Sequence, residues 1–357
     1  MSNCHALHPT WQADIEAILG RDLPWEGLSG LTVLVTGSGG FLGGYLVRSL
    51  LALYPAGLVS EPIHVVAMVR DVTRARARMM DIADNEYLEW LLWDLNQIAV
   101  PEIPECHYVL HGASHASPRF YGSDPIGTMM PNTIGTAGLL QALTNCTDPR
   151  GLLYVSSSEV YGSIGGDDLV VENSYGTLDP ATVRACYAES KRIGETMCIA
   201  WHAQHGLPTF LVRPFHTYGP GLQPNDGRVF ADFCFNVIRG ENIVMNSDGT
   251  ARRAFCYASD AVAGIFTVLL KGEPATPYNV ANPAGELSVM ELAELLVGLY
   301  PDKGLSVVKQ ISRDVESGYI ASTVSRLIPD VQRLKQLGWD AKVSPSEGFQ
   351  RMIEVCK

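Results

Sequence analysis

Short runs of apolar residues recur through the first two thirds of the chain, and most are followed by segments whose apolar residues have helical spacing. Six runs are typical of buried strands: residues 31–35, 63–69, 91–95, 108–111, 152–155 and 210–212. Strands that alternate with helices pack as a parallel sheet covered on both faces. The pattern therefore predicts an α/β fold with a doubly wound parallel sheet.

The two ends of the chain depart from this alternation. Residues 1–30 predict an N-terminal helical extension that packs across the main domain or at a subunit contact. After the sixth run, turn signals interrupt the order, and a capping box at Ser288–Glu291 begins a late helix. We expect a main domain at 31–212 and a smaller lobe at 213–357. The last elements of the main domain are expected at about 251–282, interleaved with that lobe.

A glycine cluster follows the first apolar run, at Gly37, Gly40 and Gly43. In such spacing, the first glycine permits a tight turn and the second lets backbone N–H groups approach a pyrophosphate. The third lets the next helix pack closely on the strand. A tight loop without a ligand is the alternative, but a strand and a helix flank this cluster as the motif requires. The motif predicts dinucleotide binding on a Rossmann-type fold.

The residue after the second strand bears on which dinucleotide is bound. An acidic side chain there favours NAD, whereas a basic one accommodates the 2′-phosphate of NADP. This chain has Arg70 followed by Asp71, with further arginines at positions 74, 76 and 78, so the signal is divided. Those arginines are alternatively a solvated helix face. Asp94, at the predicted end of the third strand, is expected to cap the adenine.

Small and hydroxyl-bearing residues follow the next two strands. Ala113 and Ser114 are expected near the nicotinamide, and residues 156–159 (Ser-Ser-Ser-Glu) lie where open α/β sheets bind ligands. Tyr187 and Lys191 are four residues apart, so they share one helix face. A Y-x-x-x-K sequence alone is common, but in this context we interpret the pair as catalytic.

Composition narrows the class of function. The chain of 357 residues is 46% hydrophobic and 18% charged, which is typical of an α/β enzyme. A formal net charge of -12 argues against nucleic-acid binding. The eight cysteines form no C-x-x-C pair, and His111 and His115 lack a third candidate ligand, so no metal site is predicted. Since neither a signal-peptide layout nor a membrane-spanning run is present, we expect a cytoplasmic protein without membrane contact.

In their order, these motifs resemble the extended short-chain dehydrogenase/reductase superfamily, in its NAD-dependent nucleotide-sugar epimerase/dehydratase branch. The resemblance covers about residue 31 to the end and rests on the glycine motif, on Ser157 with Tyr187 and Lys191, and on Arg213-Pro214. Within the branch, the chain looks most like UDP-glucuronate decarboxylases. The matching segments are 115–121, 132–136, 157–162, 226–229 and 253–255.

The resemblance implies functions for individual residues. The cofactor-binding residues it implies are Gly37, Ser38, Gly40, Phe41, Leu42, Gly43, Arg70, Asp94, Leu95, Ala113, Ser114, Tyr187, Lys191 and Pro214. The substrate-binding residues are Ser117, Tyr121, His216, Arg228 and Arg253, and the catalytic residues are Tyr187, Lys191, Ser157, Ser158, Glu159 and Arg253. The implied cofactor is NAD, because an enzyme that recycles its cofactor in place usually holds NAD. NADP stays open.

The implied chemistry begins at C4 of the sugar. Tyr187 is expected to remove the C4 hydroxyl proton, with Ser157 sharing it, as hydride passes to the nicotinamide. Lys191 is expected to hold the nicotinamide ribose and, with the cofactor's positive charge, to lower the pKa of Tyr187. If C6 is a carboxylate, the 4-keto intermediate is a β-keto acid and loses carbon dioxide readily. The same cofactor then returns the hydride.

Glu159 distinguishes the activities within the branch. Decarboxylases that resemble this chain have Ser-Glu where Ser158-Glu159 stands, 4,6-dehydratases have Asp-Glu, and simple 4-epimerases typically lack the Glu. Arg253 is expected to bind the diphosphate or to assist at the carboxylate. Two residues depart from the pattern: His216 stands where many relatives have Asn, and Arg70 stands where NAD-using relatives usually have an acid.

The resemblance therefore predicts decarboxylation of UDP-glucuronate, with a 4-epimerase, a 4,6-dehydratase or a cofactor-binding regulatory protein as alternatives. It also implies a homodimer, because members of this branch commonly pair through the helix that carries Tyr187 and its neighbour. Residues around Met197 and Leu139 fit such a contact, although burial in a monomer core explains them equally well.

Overall fold

The computed structural model describes residues 7–165, 169–224, 226–309 and 326–356. Its main sheet consists of β1 (Thr32–Thr36), β2 (His64–Val69), β3 (Leu88–Leu92), β4 (Tyr108–His111), β5 (Gly151–Val155), β6 (Thr209–Pro214) and β10 (Pro277–Val280). The order is β10-β6-β5-β4-β1-β2-β3, and every neighbouring pair is parallel. The strand order reverses between β1 and β4, which is where open α/β sheets form a ligand crevice.

Helices cover both faces of this sheet. The described helices are α1 (Pro9–Leu19), α2 (Phe41–Leu53), α3 (Val72–Arg78), α4 (Arg119–Ser123), α5 (Pro125–Met129), α6 (Thr136–Thr144), α7 (Ala185–His205), α8 (Val229–Arg239), α9 (Ala258–Lys271), α10 (Val289–Gly298), α11 (Gln332–Gln336) and α12 (Pro345–Cys356). Of these, α8, α10 and α12 pack together in the smaller lobe and not on this sheet. Val33 and Val35 of β1 pack on the side of α1, α2 and α9, whereas Leu34 packs on the side of α6 and α7. Burial of both faces confirms the predicted doubly wound fold.

A smaller lobe is built from the rest of the chain. It contains β7 (His216–Tyr218), β8 (Ile243–Met245), β9 (Arg252–Tyr257), β11 (Glu286–Ser288), β12 (Val307–Lys309) and β13 (Arg326–Leu327). β9 pairs with β7, β11 and β13, while β8 pairs with β12. Residues 252–257 were expected among the last elements of the main domain but lie in this lobe. α9 and β10 then return to the main sheet, and the domain boundaries at 30 and 212 stay predictions.

The third strand differs in its bounds from the prediction. β3 ends at Leu92, so Asp94 and Leu95 lie in the loop that follows. Asp94 Oδ1 accepts hydrogen bonds from the backbone and side-chain nitrogens of Asn96 at 3.0 and 2.8 Å, which is a local turn that ends the strand. The predicted capping box at Ser288–Glu291 is confirmed at the start of α10.

The N-terminal extension contains the predicted helix, α1, which packs against α2 and α9. The first six residues of that predicted extension lie outside the described residues. Within the described ranges, no helix has the length and apolar character needed to cross a membrane.

Candidate active site

The glycine motif forms a tight turn between β1 and α2. Gly37 has a φ of 68°, and a side chain there would put its Cβ 2.9 Å from the Cα of Ala113. A side chain at Gly43 would overlap the carbonyl oxygen of Gly37. Gly40 is extended and precedes the first residue of α2. The turn therefore brings backbone, without side chains, to the crevice between β1 and β4.

A cleft of about 2710 Å³ lies over the carboxyl ends of the main strands and is bounded by the smaller lobe. All predicted cofactor-binding, substrate-binding and catalytic residues line it except Ser38. Ser38 is fully buried, and its hydroxyl donates a hydrogen bond to the Val35 carbonyl at 2.5 Å. The Ser38 hydroxyl is therefore turned into the sheet, and cofactor binding by Ser38 stays a prediction.

Tyr187 and Lys191 lie on successive turns of α7, and both are buried. Burial raises the pKa of Tyr187 to about 12, and a hydrogen bond with Ser157 offsets part of that rise. Lys191 Nζ donates to the Val155 carbonyl at 2.7 Å, and burial lowers the pKa of Lys191 to about 7. The protein alone therefore does not produce the expected lowering of the Tyr187 pKa, because desolvation dominates at this site.

Glu159 is held in the cleft by a residue that the motif analysis missed. Arg184 Nη2 donates to Glu159 Oε2 at 2.9 Å, and its guanidinium carbon lies 4.8 Å from the centre of the Tyr121 ring. Tyr121 in turn stacks on Tyr187 with ring centres 4.9 Å apart. Its spacing in the sequence could have indicated this role, because Arg184 precedes Tyr187 by three residues and so lies on the same side of the helix start.

Ser157 and Ser158 connect the end of β5 to this group. Ser157 Oγ accepts a hydrogen bond from the Glu159 backbone N–H at 3.2 Å, so the turn that positions the hydroxyl also positions the carboxylate. Ser158 is buried and lines the same cleft. Its hydroxyl is too weak an acid to replace a carboxylic acid in proton donation.

Two arginines and a histidine form a further part of the cleft lining. Arg228 contacts the Asp226 carboxylate through Nε and Nη2 at 2.5 and 2.9 Å, and the Ser117 hydroxyl donates to the Asp226 carbonyl. Burial and the charges of Arg253 and Arg228 lower the pKa of His216 to about 3, so its imidazole is neutral. Two guanidinium groups and a neutral histidine are suited to an anionic diphosphate.

A buried histidine fixes the loop between β4 and the cleft. The Pro131 carbonyl can only accept, so His111 Nε2 donates to it at 3.0 Å and Nδ1 accepts from the Thr36 hydroxyl at 2.8 Å. The Thr36 oxygen accepts from the Ala113 N–H at 3.1 Å. Burial lowers the pKa of His111 to about 3, as this neutral state requires. No cluster of His, Cys, Asp and Glu suited to a metal ion occurs among the described residues.

Comparison with known proteins decides the family. The model of the NAD dependent epimerase/dehydratase family matches residues 33–281. The chain belongs to this family. It is 34% identical to UDP-glucuronic acid decarboxylase 6 of Arabidopsis thaliana, over 91% of this chain and 89% of that protein. It is 33% identical to UDP-glucuronic acid decarboxylase 1 of Xenopus tropicalis, over 90% of this chain and 71% of that protein.

Solved structures of the family have the same fold. A UDP-glucuronic acid 4-epimerase from Bacillus cereus, in complex with UDP-glucuronic acid and NAD, is 22% identical with a TM-score of 0.76, over 91% of this chain and 98% of that one. A dTDP-glucose 4,6-dehydratase from Streptomyces venezuelae with NAD bound is 24% identical with a TM-score of 0.76, over 91% and 96% of the two chains. The predicted Rossmann-type fold is confirmed.

NAD is the cofactor of this family, and the cleft fits it. The glycine turn leaves room for backbone to approach a pyrophosphate, as described for Gly37 and Gly43. The Ser114 hydroxyl is buried in the cleft with no hydrogen-bond partner among the described residues. An unpaired buried hydroxyl beside a glycine turn is what a polar ligand satisfies. Ser114, Lys191 and the glycine turn are therefore the residues that would hold the cofactor.

Proposed function

We propose that this protein is an NAD-dependent UDP-glucuronate decarboxylase that acts through a transient 4-keto sugar. The observation that carries the proposal is the Glu159 carboxylate, which Arg184 holds in the cleft beside Ser157 and Tyr187. Its charge is close enough to contribute to the raised pKa of Tyr187. The named decarboxylases among the relatives support this activity, whereas the likeness to the solved epimerase and dehydratase supports the fold alone.

The reaction we propose begins with proton removal from the C4 hydroxyl. Tyr187 is the base, and Ser157, already hydrogen-bonded with it, shares the proton. When bound, NAD supplies the acceptor for the C4 hydride and later returns that hydride. Lys191 Nζ lies 5.9 Å from the centre of the Tyr187 ring, so its ammonium form places a positive charge beside the phenol. It is therefore able to favour the tyrosinate as it forms.

The next step separates the alternatives. A C4 ketone makes the C6 carboxylate part of a β-keto acid, so loss of carbon dioxide needs no acid at C6. Loss of a C6 hydroxyl, as in a 4,6-dehydratase, needs an acid that Ser158 does not provide. Arg228 and Arg253, whose charges both act on the neutral His216, would bind the diphosphate. Three catalytic groups in one cleft also favour an enzyme over a regulatory protein.

Proton NMR of the purified protein with four separate substrates tests this proposal. We expect UDP-glucuronate to give UDP-xylose or a UDP-4-keto-pentose, and UDP-glucose, UDP-galactose and dTDP-glucose to stay unchanged. Tyr187→Phe should lower turnover by about 10²–10⁴-fold without loss of cofactor binding. Tyr175→Phe, at an exposed tyrosine, is the control.

Three results would contradict the proposal. Epimerised UDP-glucuronate, or a changed neutral sugar with inert UDP-glucuronate, would assign the protein to the epimerases or dehydratases. A fully active Tyr187→Phe variant would exclude the mechanism. Inertness toward all four sugars would exclude this substrate and favour the regulatory alternative.

We also propose a homodimer that pairs through α7 and the neighbouring segment of residues 125–135. Ile193 and Ile199 of α7 are 44% and 41% exposed, and Ile126 and Ile134 of the neighbouring segment are 67% and 38% exposed. Four partly exposed isoleucines on neighbouring elements are suited to a second copy of the chain. Leu139, which was expected at this contact, is instead fully buried in the monomer core.

Met197 likewise packs against the core of the main domain.

A cytoplasmic location also stays a proposal. It is supported by the seven described cysteines, none of which forms a disulfide within the described residues.

A further inference from the structure

Three arginines line the part of the cleft beside the glycine motif. Arg70 directly follows β2, and Arg74 and Arg78 are one turn apart on α3. All three line the same cleft as Gly37 and Gly40. We call Arg70, Arg74 and Arg78 the arginine cluster. Residues four apart on a helix share a face, so Arg74 and Arg78 are directed to the same side of α3.

The position of α3 against the glycine motif is set by close packing. A side chain at Gly39 would put its Cβ 3.0 Å from the Cβ of Ala75, so the glycine motif and α3 are in near contact. Arg78 Nη1 donates a hydrogen bond to the Gly39 carbonyl at 3.1 Å. The arginine cluster is therefore attached to the phosphate-binding turn.

The acidic residues around the cluster have other partners. Asp71 Oδ1 accepts the Arg74 backbone N–H at 2.9 Å and caps α3. Asp84 pairs with Arg76, which lies on the same helix but outside the cleft lining. The side chains of Arg70 and Arg74 form no hydrogen bond or ion pair with any residue that the structure describes.

The charges of the cluster act on one another and on the cleft. Burial and the charge of Arg74 lower the pKa of Arg78, and burial and the charge of Arg70 lower the pKa of His115. These are the effects of positive groups that crowd together. The arginine cluster is thus locally positive, although the formal net charge of the whole protein is -12. An anion with several acceptor oxygens would relieve this repulsion.

We propose that the arginine cluster binds the 2′-phosphate of a nucleotide ribose, so that this chain accepts NADP in addition to NAD and binds NADP more tightly. A basic residue directly after the second strand is where a dinucleotide fold accommodates that phosphate. The proposal rests on the dinucleotide binding described under the proposed function. It does not depend on which sugar is converted.

Isothermal titration calorimetry of the full-length protein tests it with two matched pairs of ligands. We expect NADP to bind about tenfold more tightly than NAD, and 2′,5′-ADP to bind more tightly than 5′-AMP by a similar factor, since only the 2′-phosphate differs within each pair. Both preferences should shrink as the salt concentration rises, because the contact is between exposed charges.

Variants of single arginines test which side chains cause the preference for NADP. Arg70→Asp should reverse the preference in favour of NAD, and Arg74→Gln should weaken NADP but not NAD. Arg76→Gln, on the same helix but paired with Asp84, should leave the preference unchanged. Equal or tighter binding of NAD by the wild-type protein would overturn the inference, as would an equal loss of both ligands in Arg70→Asp.

The failure of this inference is distinguishable from failure of the proposed function. Conversion of UDP-glucuronate with NAD, but no preference for 2′-phosphorylated ligands, would overturn only the inference. Binding of neither dinucleotide would overturn both the inference and the cofactor part of the proposed function.

Discussion

Arg184 is the residue on which the position of Glu159 depends. It pairs with the Glu159 carboxylate and lies over Tyr121, which stacks on Tyr187. Arg184→Gln would remove the ion pair and leave a carboxylate free to move near the anionic C6 group of the substrate. We expect kcat/KM for UDP-glucuronate to fall about 10- to 100-fold, measured by NMR rates over a range of substrate concentrations.

Two further variants separate positioning from a general loss of structure. Arg184→Lys keeps the charge but loses the planar stacking surface, so it should recover only part of the activity. Arg150→Gln breaks an exposed 3.1 Å pair with Asp148 and should have wild-type kinetics. If Arg184→Gln had wild-type kcat and KM, Arg184 would not position Glu159.

Residues with a strong local motif could be predicted from the sequence, and residues defined by a distant partner could not. Gly37, Ser157 and Tyr187 lie in recognisable sequence contexts, and the structure brings them to one cleft. The role of Arg184 depends on Glu159, 25 positions away along the chain. Ser38 shows that a motif does not determine where each of its side chains points, because its hydroxyl is directed away from the site.

At the scale of elements, central strands were easier to predict than edge strands. A strand between two others is buried on both faces, so its sequence is a nearly continuous run of apolar residues, as in β1 and β5. β3 lies at the edge of the sheet, where Glu89 and Leu92 are exposed. Its true start at Leu88 therefore precedes the apolar run 91–95 on which the prediction depended.

The proposed dimer is a property of α7 and can be tested there. Glutamates at Ile193 and Ile199 would place charges in an apolar contact, so the double variant I193E/I199E should be monomeric at concentrations where the wild type is a dimer. Sedimentation velocity measures the difference. I98E, at a side chain that is 86% exposed and far from α7 in sequence, is the control and should stay dimeric. A monomeric wild type, or a dimeric double variant, would exclude this contact.

At the scale of the whole molecule, the N-terminal helix joins distant parts of the chain. Asp14 of α1 is fully buried and accepts hydrogen bonds from the Tyr45 and Tyr257 hydroxyls at 2.8 Å each and from Arg351 at 3.1 Å. These partners lie on α2, β9 and α12. The sequence predicts only that this helix packs on the main domain or at a subunit contact, because one acidic residue in a short helix carries no signal of partners 31 to 337 positions away.

Removal of this carboxylate should destabilise the whole protein. Asp14→Ala removes the acceptor of two buried tyrosine hydroxyls and of one Arg351 N–H group. We therefore expect a loss of about 2–3 kcal/mol in the free energy of unfolding. Glu16→Ala removes an exposed acid from the same helix and should change that free energy by less than about 0.5 kcal/mol. Urea denaturation of the variants and the wild type measures both values.

The dependence of this loss on pH identifies its cause. Burial, only partly offset by the hydrogen bonds, raises the pKa of Asp14 above its ordinary value of 3.8. Between the ordinary pKa and the raised pKa, the folded protein keeps a proton that the unfolded chain has released. The contribution of Asp14 to stability is therefore complete below pH values near the ordinary pKa, and it declines as the pH rises through the raised pKa. Because the tyrosines and Arg351 keep their protons throughout, Asp14→Ala should be more destabilising at about pH 4.5 than at about pH 7.5. A loss that is equal at both pH values, or larger at the higher one, would show that the carboxylate is not held in the environment that the structure describes.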